Sequence, residues 1–107
     1  MAWFILLLAG LLEIVWAYSM KLSEGFSRPG PTAVTIVAMI ASFGLLSMAM
    51  RTLPLGTAYT VWTGIGALGA FVLGIVLLGE QAGAGRIFAA VLIVTGLVVM
   101  KLSTPSA

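Results

Sequence analysis

Four apolar runs, each about as long as a bilayer is thick, decide what solvent this chain folds in. A helix rising about 1.5 Å per residue needs about 20 residues to cross a hydrocarbon core of roughly 30 Å. The runs extend from about Ala2 to Met20, Thr32 to Met50, Leu55 to Leu78 and Ile87 to Met100. The last is the shortest and is expected to reach back past Arg86, whose side chain can snorkel, giving a span over about 85–101. Breakers separate the runs: Lys21 through Arg28-Pro29-Gly30-Pro31, then Arg51 to Pro54, then Gly79-Glu80-Gln81 through Gly83, Gly85 and Arg86. With 62% hydrophobic and 7% charged residues, the chain is expected to be a single all-α integral membrane domain of four transmembrane helices over residues 1–107. The first run carries Glu13 in its middle and has no basic residue before Lys21, so it reads as a retained span rather than a secretory signal.

The residue inventory narrows the chemistry. Cysteine, histidine, aspartate and asparagine are all absent, which excludes disulfides, thiolate or imidazole metal sites, histidine proton relays and N-glycosylation. No metal and no cofactor is expected, and nothing in the sequence points to an enzyme. Five scattered basic residues form no block that could follow a phosphate backbone, so nucleic acid is not an expected partner. Three glutamates remain, and only Glu13 lies inside a span.

Four spans put both termini and the second loop on one side. That side carries Arg51 and Lys101, and the other carries Lys21, Arg28 and Arg86. The positive-inside rule orients a chain by an excess of Lys and Arg in short loops, and two against three is almost no excess. Insertion in both orientations is therefore expected. Two opposed copies would form an antiparallel homodimer, supplying by assembly the inverted repeat that larger transporters encode in one chain.

Glu13 sits about ten residues into the first span, near mid-bilayer, where an ionisable group costs at least about 2.5 kcal/mol and marks a functional site. No basic residue within the spans can neutralise it. Either it is a protonated glutamate bonded to a neighbouring helix, or its partner arrives from outside as a proton or a cation. Counting from the same membrane face, Glu13 is ten residues from Trp3, Ser42 nine from Arg51, and Trp62 eight from Pro54. At the helical rise those three side chains are level, roughly 12 to 15 Å deep. Trp16 follows Glu13 on its own helix face, and Tyr59 precedes Trp62 in the same way. Both tryptophans are too deep for the interfacial belt that suits Trp3. Trp16, Tyr59 and Trp62 can line a cation site through their ring faces or simply pack helices. The Ser42 hydroxyl can hold a carboxylate or bond the carbonyl one turn back.

Residues 64–69 match the glycine fingerprint of dinucleotide-binding folds, but they lie inside an apolar run with no acidic residue about twenty positions on, and the match is rejected. A mechanical role fits better. Gly64 and Gly66 flank a point where the helix could kink, and Gly66, Ala70 and Gly74 make a small-residue seam. In the fourth span Ala89 and Gly96 share a face with no charge between them, which suggests a dimer contact.

At these residues the chain resembles the small multidrug resistance family over essentially its whole length. The likeness rests on Glu13, on Lys21 with Gly25-Phe26-Ser27-Arg28, on Pro54-x-Gly56-x-Ala58-Tyr59-x-x-Trp62-x-Gly64-x-Gly66, and on Gly96. Ala9-Gly10-x-x-Glu13-x-x-Trp16 and Trp62-Thr63-Gly64-Ile65-Gly66-Ala67 are similar to the guanidinium exporter branch, whereas the multidrug branch has glycine where Trp16 stands here. The resemblance implies an antiparallel homodimer in a bacterial-type inner membrane that exchanges guanidinium-like organic cations for protons. It casts Glu13 as the coupling carboxylate, Trp16, Tyr59 and Trp62 as site walls, and Ser42 as support for Glu13. The third loop matches no useful pattern and receives no role. The rivals are a quaternary ammonium exporter using the same glutamate, a cation channel, which would need an open polar path, and a non-transporting membrane subunit. From the charge balance, reporters fused to the C terminus are expected to read out on both sides of the membrane; a single orientation contradicts the dual-topology reading.

Overall fold

The computed structural model describes residues 1–104, and the chain is helical with four membrane-length apolar helices and no strand among those residues. The helices are α1 (Ala2–Leu22), α2 (Pro29–Ala49), α3 (Leu55–Leu78) and α4 (Ala84–Ser103). The second begins three residues before the expected Thr32, because a proline at the first helical position gives up only an N–H that has no helical partner. The fourth reaches back beyond Arg86, as its shortness in sequence required.

The connections have local causes. Ser23 is fully buried; its hydroxyl donates to the Met20 carbonyl at 2.6 Å and accepts from the Phe26 N–H at 3.0 Å. That pair of bonds holds a tight reversal in which Glu24, Gly25 and Phe26 all take positive φ. Gly79 ends α3 in the left-handed conformation, a cap that glycine adopts without steric cost.

Packing is uneven. α1 lies against both α2 and α3, α2 barely meets α3, and α4 rests on α3 alone. The Cα extents of 42 × 34 × 16 Å describe a plate two helices deep, not a closed bundle. Its core is built from Leu6 and Ala9 of α1, Leu46 and Ala49 of α2, and Ala58, Val61 and Trp62 of α3. All of these lie in the half of the membrane nearest the termini and the second loop. The opposite half buries mainly small or polar positions, Ser19, Ser23, Thr35 and Gly74 among them, so the helices are tied at one end and looser at the other. No residue of α4 is buried.

Close approach of α1 and α3 depends on glycines. A Cβ at Gly10 would fall 2.6 Å from Ile65 Cγ2, Gly69 receives the Ile14 side chain, and Gly66 receives the Glu13 side chain. The small-residue seam of α3 thus takes up side chains of α1. The remaining seam glycine, Gly74, lies instead under the folded-back Glu80, and α3 runs unbroken through Gly64 and Gly66. Ile65 is β-branched and cannot swing aside, so Gly10→Ala is expected to cost about 1–3 kcal/mol by overpacking. Gly44→Ala on the open face of α2, where an added Cβ meets nothing within 4 Å, should instead raise stability by about 0.5–1 kcal/mol through helix propensity. Paired unfolding curves in detergent check both.

Candidate functional site

Glu13 is held at the α1–α3 contact. Its carboxyl lies against the bare backbone of Gly66, where any Cβ would collide with Oε1. Only glycine at 66 leaves room for an acidic side chain between the two helices at this depth. Oε1 is buried and has no hydrogen-bond partner among the described residues, and Trp16 Nε1, one turn along the same helix, is buried and unpartnered among them as well. An orphan acceptor and an orphan donor are expensive in apolar surroundings, where each unmade bond carries the desolvation cost of its group. The orphan oxygen can accept from a ligand with N–H donors or take a proton, whereas the Trp16 N–H, itself a donor, needs an acceptor.

Ser42 organises the helices around this spot rather than bonding the carboxyl. Fully buried on α2, its hydroxyl donates to the Ala9 carbonyl of α1 at 2.7 Å and accepts from Trp62 Nε1 of α3 at 3.0 Å. In an α-helix the Ala9 carbonyl is also the acceptor for the Glu13 N–H. A single serine therefore joins three helices at the turn that carries the carboxylate. It also gives Trp62, 6% exposed, its polar partner. The level depths of Ser42 and Trp62 counted along the sequence correspond to this direct bond. The Ser42 partner differs from both readings made from sequence, since a carbonyl on a neighbouring helix competes with the local one once the helices pack this closely.

Aromatic rings extend from there. Trp16 meets Phe43 edge-on at 6.2 Å between centroids, Phe43 meets Trp62 at 5.7 Å, and Trp62 meets Tyr59 at 5.6 Å. Phe43 closes the gap between the two tryptophans and was missed by sequence reasoning, which offered only one signal for it: its place beside Ser42 on the span. Tyr59 reaches the set only through the Trp62 ring. It is half exposed and lines a groove of about 480 Å³ between α3 and α4, together with Thr63, Gly64, Gly96 and Met100. Gly64 is occupied by Leu97 of α4, so it serves the α3–α4 contact. Ala89 and Gly96 are exposed, and a Cβ at Gly96 would meet nothing within 4 Å, so that face of α4 has no partner in the single chain.

Four apolar membrane-length helices, one of them carrying a mid-span carboxyl, define an integral membrane protein. Comparison with known proteins gives the family: residues 1–94 match the family described as Small Multidrug Resistance protein, and the chain belongs to it. A protein of Citrobacter freundii and one of Salmonella typhimurium, each named guanidinium exporter, are 58% identical to it over 104 residues, 97% of this chain and 99% of theirs. A guanidinium exporter of Escherichia coli K12 is 57% identical over the same shares. The relatives are exporters by name.

Losing the Ser42 hydroxyl strands the Trp62 N–H in the core. Ser42→Ala is expected to lower stability by about 1–2 kcal/mol, a large effect for one hydroxyl in a membrane protein. Ser42→Thr, which keeps a hydroxyl, should recover part of it. Unfolding in mild detergent measures both.

Proposed function

We propose that this chain is a proton-coupled antiporter that exports guanidinium and small guanidinyl compounds, working as an antiparallel homodimer in a bacterial-type inner membrane. The observation that carries the reading is the buried Glu13 Oε1, which has no hydrogen-bond partner among the described residues. Guanidinium is planar and presents a fork of N–H donors that matches a carboxylate at two points, which a round ammonium cannot do. The ring faces of Trp16 and Trp62 attract the same cation electrostatically, more strongly where water is excluded. Relatives named guanidinium exporters at 58% identity support this substrate class.

Coupling follows from competition. A cation stabilises the charged carboxylate, and a proton removes the charge that holds the cation. With two copies of Glu13 in one shared cavity the carboxylates repel, so their protons leave in coupled steps. If the cavity opens to one side of the membrane at a time, protons moving inward drive cations outward. Support for a second copy comes from α4, which has an exposed small-residue face at Ala89 and Gly96 and no buried residue of its own. The almost balanced loop charges favour an opposed arrangement.

Proteoliposomes test the proposal. An inward proton gradient is expected to drive guanidinium uphill, and Glu13→Gln is expected to abolish both guanidinium and coupled proton movement. Apparent affinity should weaken as pH falls, because protons and cation claim one group. Tetraalkylammonium carried as well as guanidinium would favour the quaternary ammonium reading, for which aromatic walls are equally suited. Guanidinium flux that neither needs nor moves protons would sink the antiporter.

A further inference from the structure

The two basic ends of α4 are not free in solvent. Arg86 lies over the Phe71 ring of α3 at 5.6 Å, and Lys101 lies over the Trp3 ring of α1 at 4.7 Å. The second contact bridges helices that otherwise do not pack, α4 and α1, and it stands at the mouth of a groove of about 500 Å³ between α1, α3 and α4. Trp3, Leu7, Ile65, Leu97, Val98 and Lys101 are among its walls. Measured along α3 from Leu55 to Ile65, the groove reaches roughly 15 Å into the membrane, the hydrocarbon depth of one leaflet.

Charge on this face is one-sided. The termini and the second loop share it, and its side chains include Arg51 and Lys101 but no aspartate or glutamate; Glu24 and Glu80 both belong to the loops of the opposite face. Lys101 therefore has no acidic side chain of its own chain on its side of the membrane. An apolar slot one leaflet deep, roofed by an aromatic ring and a lysine without an acidic side-chain partner among the described residues, complements a phospholipid with an anionic headgroup. The acyl chain fills the slot, the phosphate region meets the ammonium, and Trp3 sits at the depth where indole rings favour the interface.

We infer that the groove between α1, α3 and α4 seats one anionic phospholipid, with Lys101 as its headgroup contact. The site lies apart from the Glu13 carboxyl and does not depend on which cation is carried. It links lipid composition to the docking of α4, the helix with the least internal packing.

Native mass spectrometry from mixed micelles of phosphatidylglycerol and phosphatidylcholine with identical acyl chains tests it on the intact protein. Wild type is expected to retain phosphatidylglycerol about fivefold over phosphatidylcholine, the weight of one lysine beside an anionic surface. Lys101→Gln should erase the preference and Lys101→Arg keep it. Arg51→Gln, on the same face but outside the groove, should leave it unchanged. Val98→Trp, which fills the slot, should release the bound lipid of both kinds. No preference in wild type overturns the proposal, as does an equal loss with Arg51→Gln, which would mean general surface charge. If Val98→Trp leaves lipid retention unchanged, or breaks a complex of two chains instead, the groove is not a lipid seat and the proposal fails.

Discussion

An acidic side chain placed at mid-membrane depth with no internal cation is the constraint around which the rest of this molecule is arranged. Room for it exists because Gly66 has no side chain, so the carboxyl rests on the backbone of α3. Its helix turn is fixed in place because Ser42 ties the Ala9 carbonyl to the Trp62 indole. Phe43 then spans the two tryptophans on either side. None of these contacts neutralises the carboxyl. They hold it in one position while its oxygen remains unpartnered among the described residues, which is costly for folding.

That arrangement explains why the single chain has so little core. A plate 16 Å thick has room for a seam between two layers of helices and not for an enclosed interior. α4, attached to α3 alone and with no buried residue, adds surface rather than core. In lipid such a surface is tolerable, because helices there gain stability from close contact and hydrogen bonds rather than from escape from water.

Much of this was legible in the sequence, for identifiable reasons. Hydrophobic run length reports directly on membrane spans, since backbone groups in lipid must be satisfied within a helix. Counting residues from a shared face placed Ser42 and Trp62 at one depth, and the structure joins them by a hydrogen bond. What counting along a helix lacks is rotation about its axis. It could not show that the Ser42 hydroxyl would choose the Ala9 carbonyl, or that Phe43 would turn inward to the tryptophans. Nor could it show that Tyr59 would face the α3–α4 groove. The role of Gly66 was hidden for a related reason: a small residue signals close approach without naming what approaches, and here it is Glu13 itself, not a helix backbone. Pro29 also misled the helix start, because a proline read as a breaker is equally suited to a first turn.

The most direct test of a carboxyl that holds either hydrogen ions or an organic cation is to count protons as the cation binds. Purified protein in weakly buffered detergent near neutral pH, given guanidinium, should release protons into the medium. The release should saturate with occupancy and vanish in Glu13→Gln. Binding near neutral pH with no proton release, together with affinity that does not weaken as pH falls, would contradict the account at its centre.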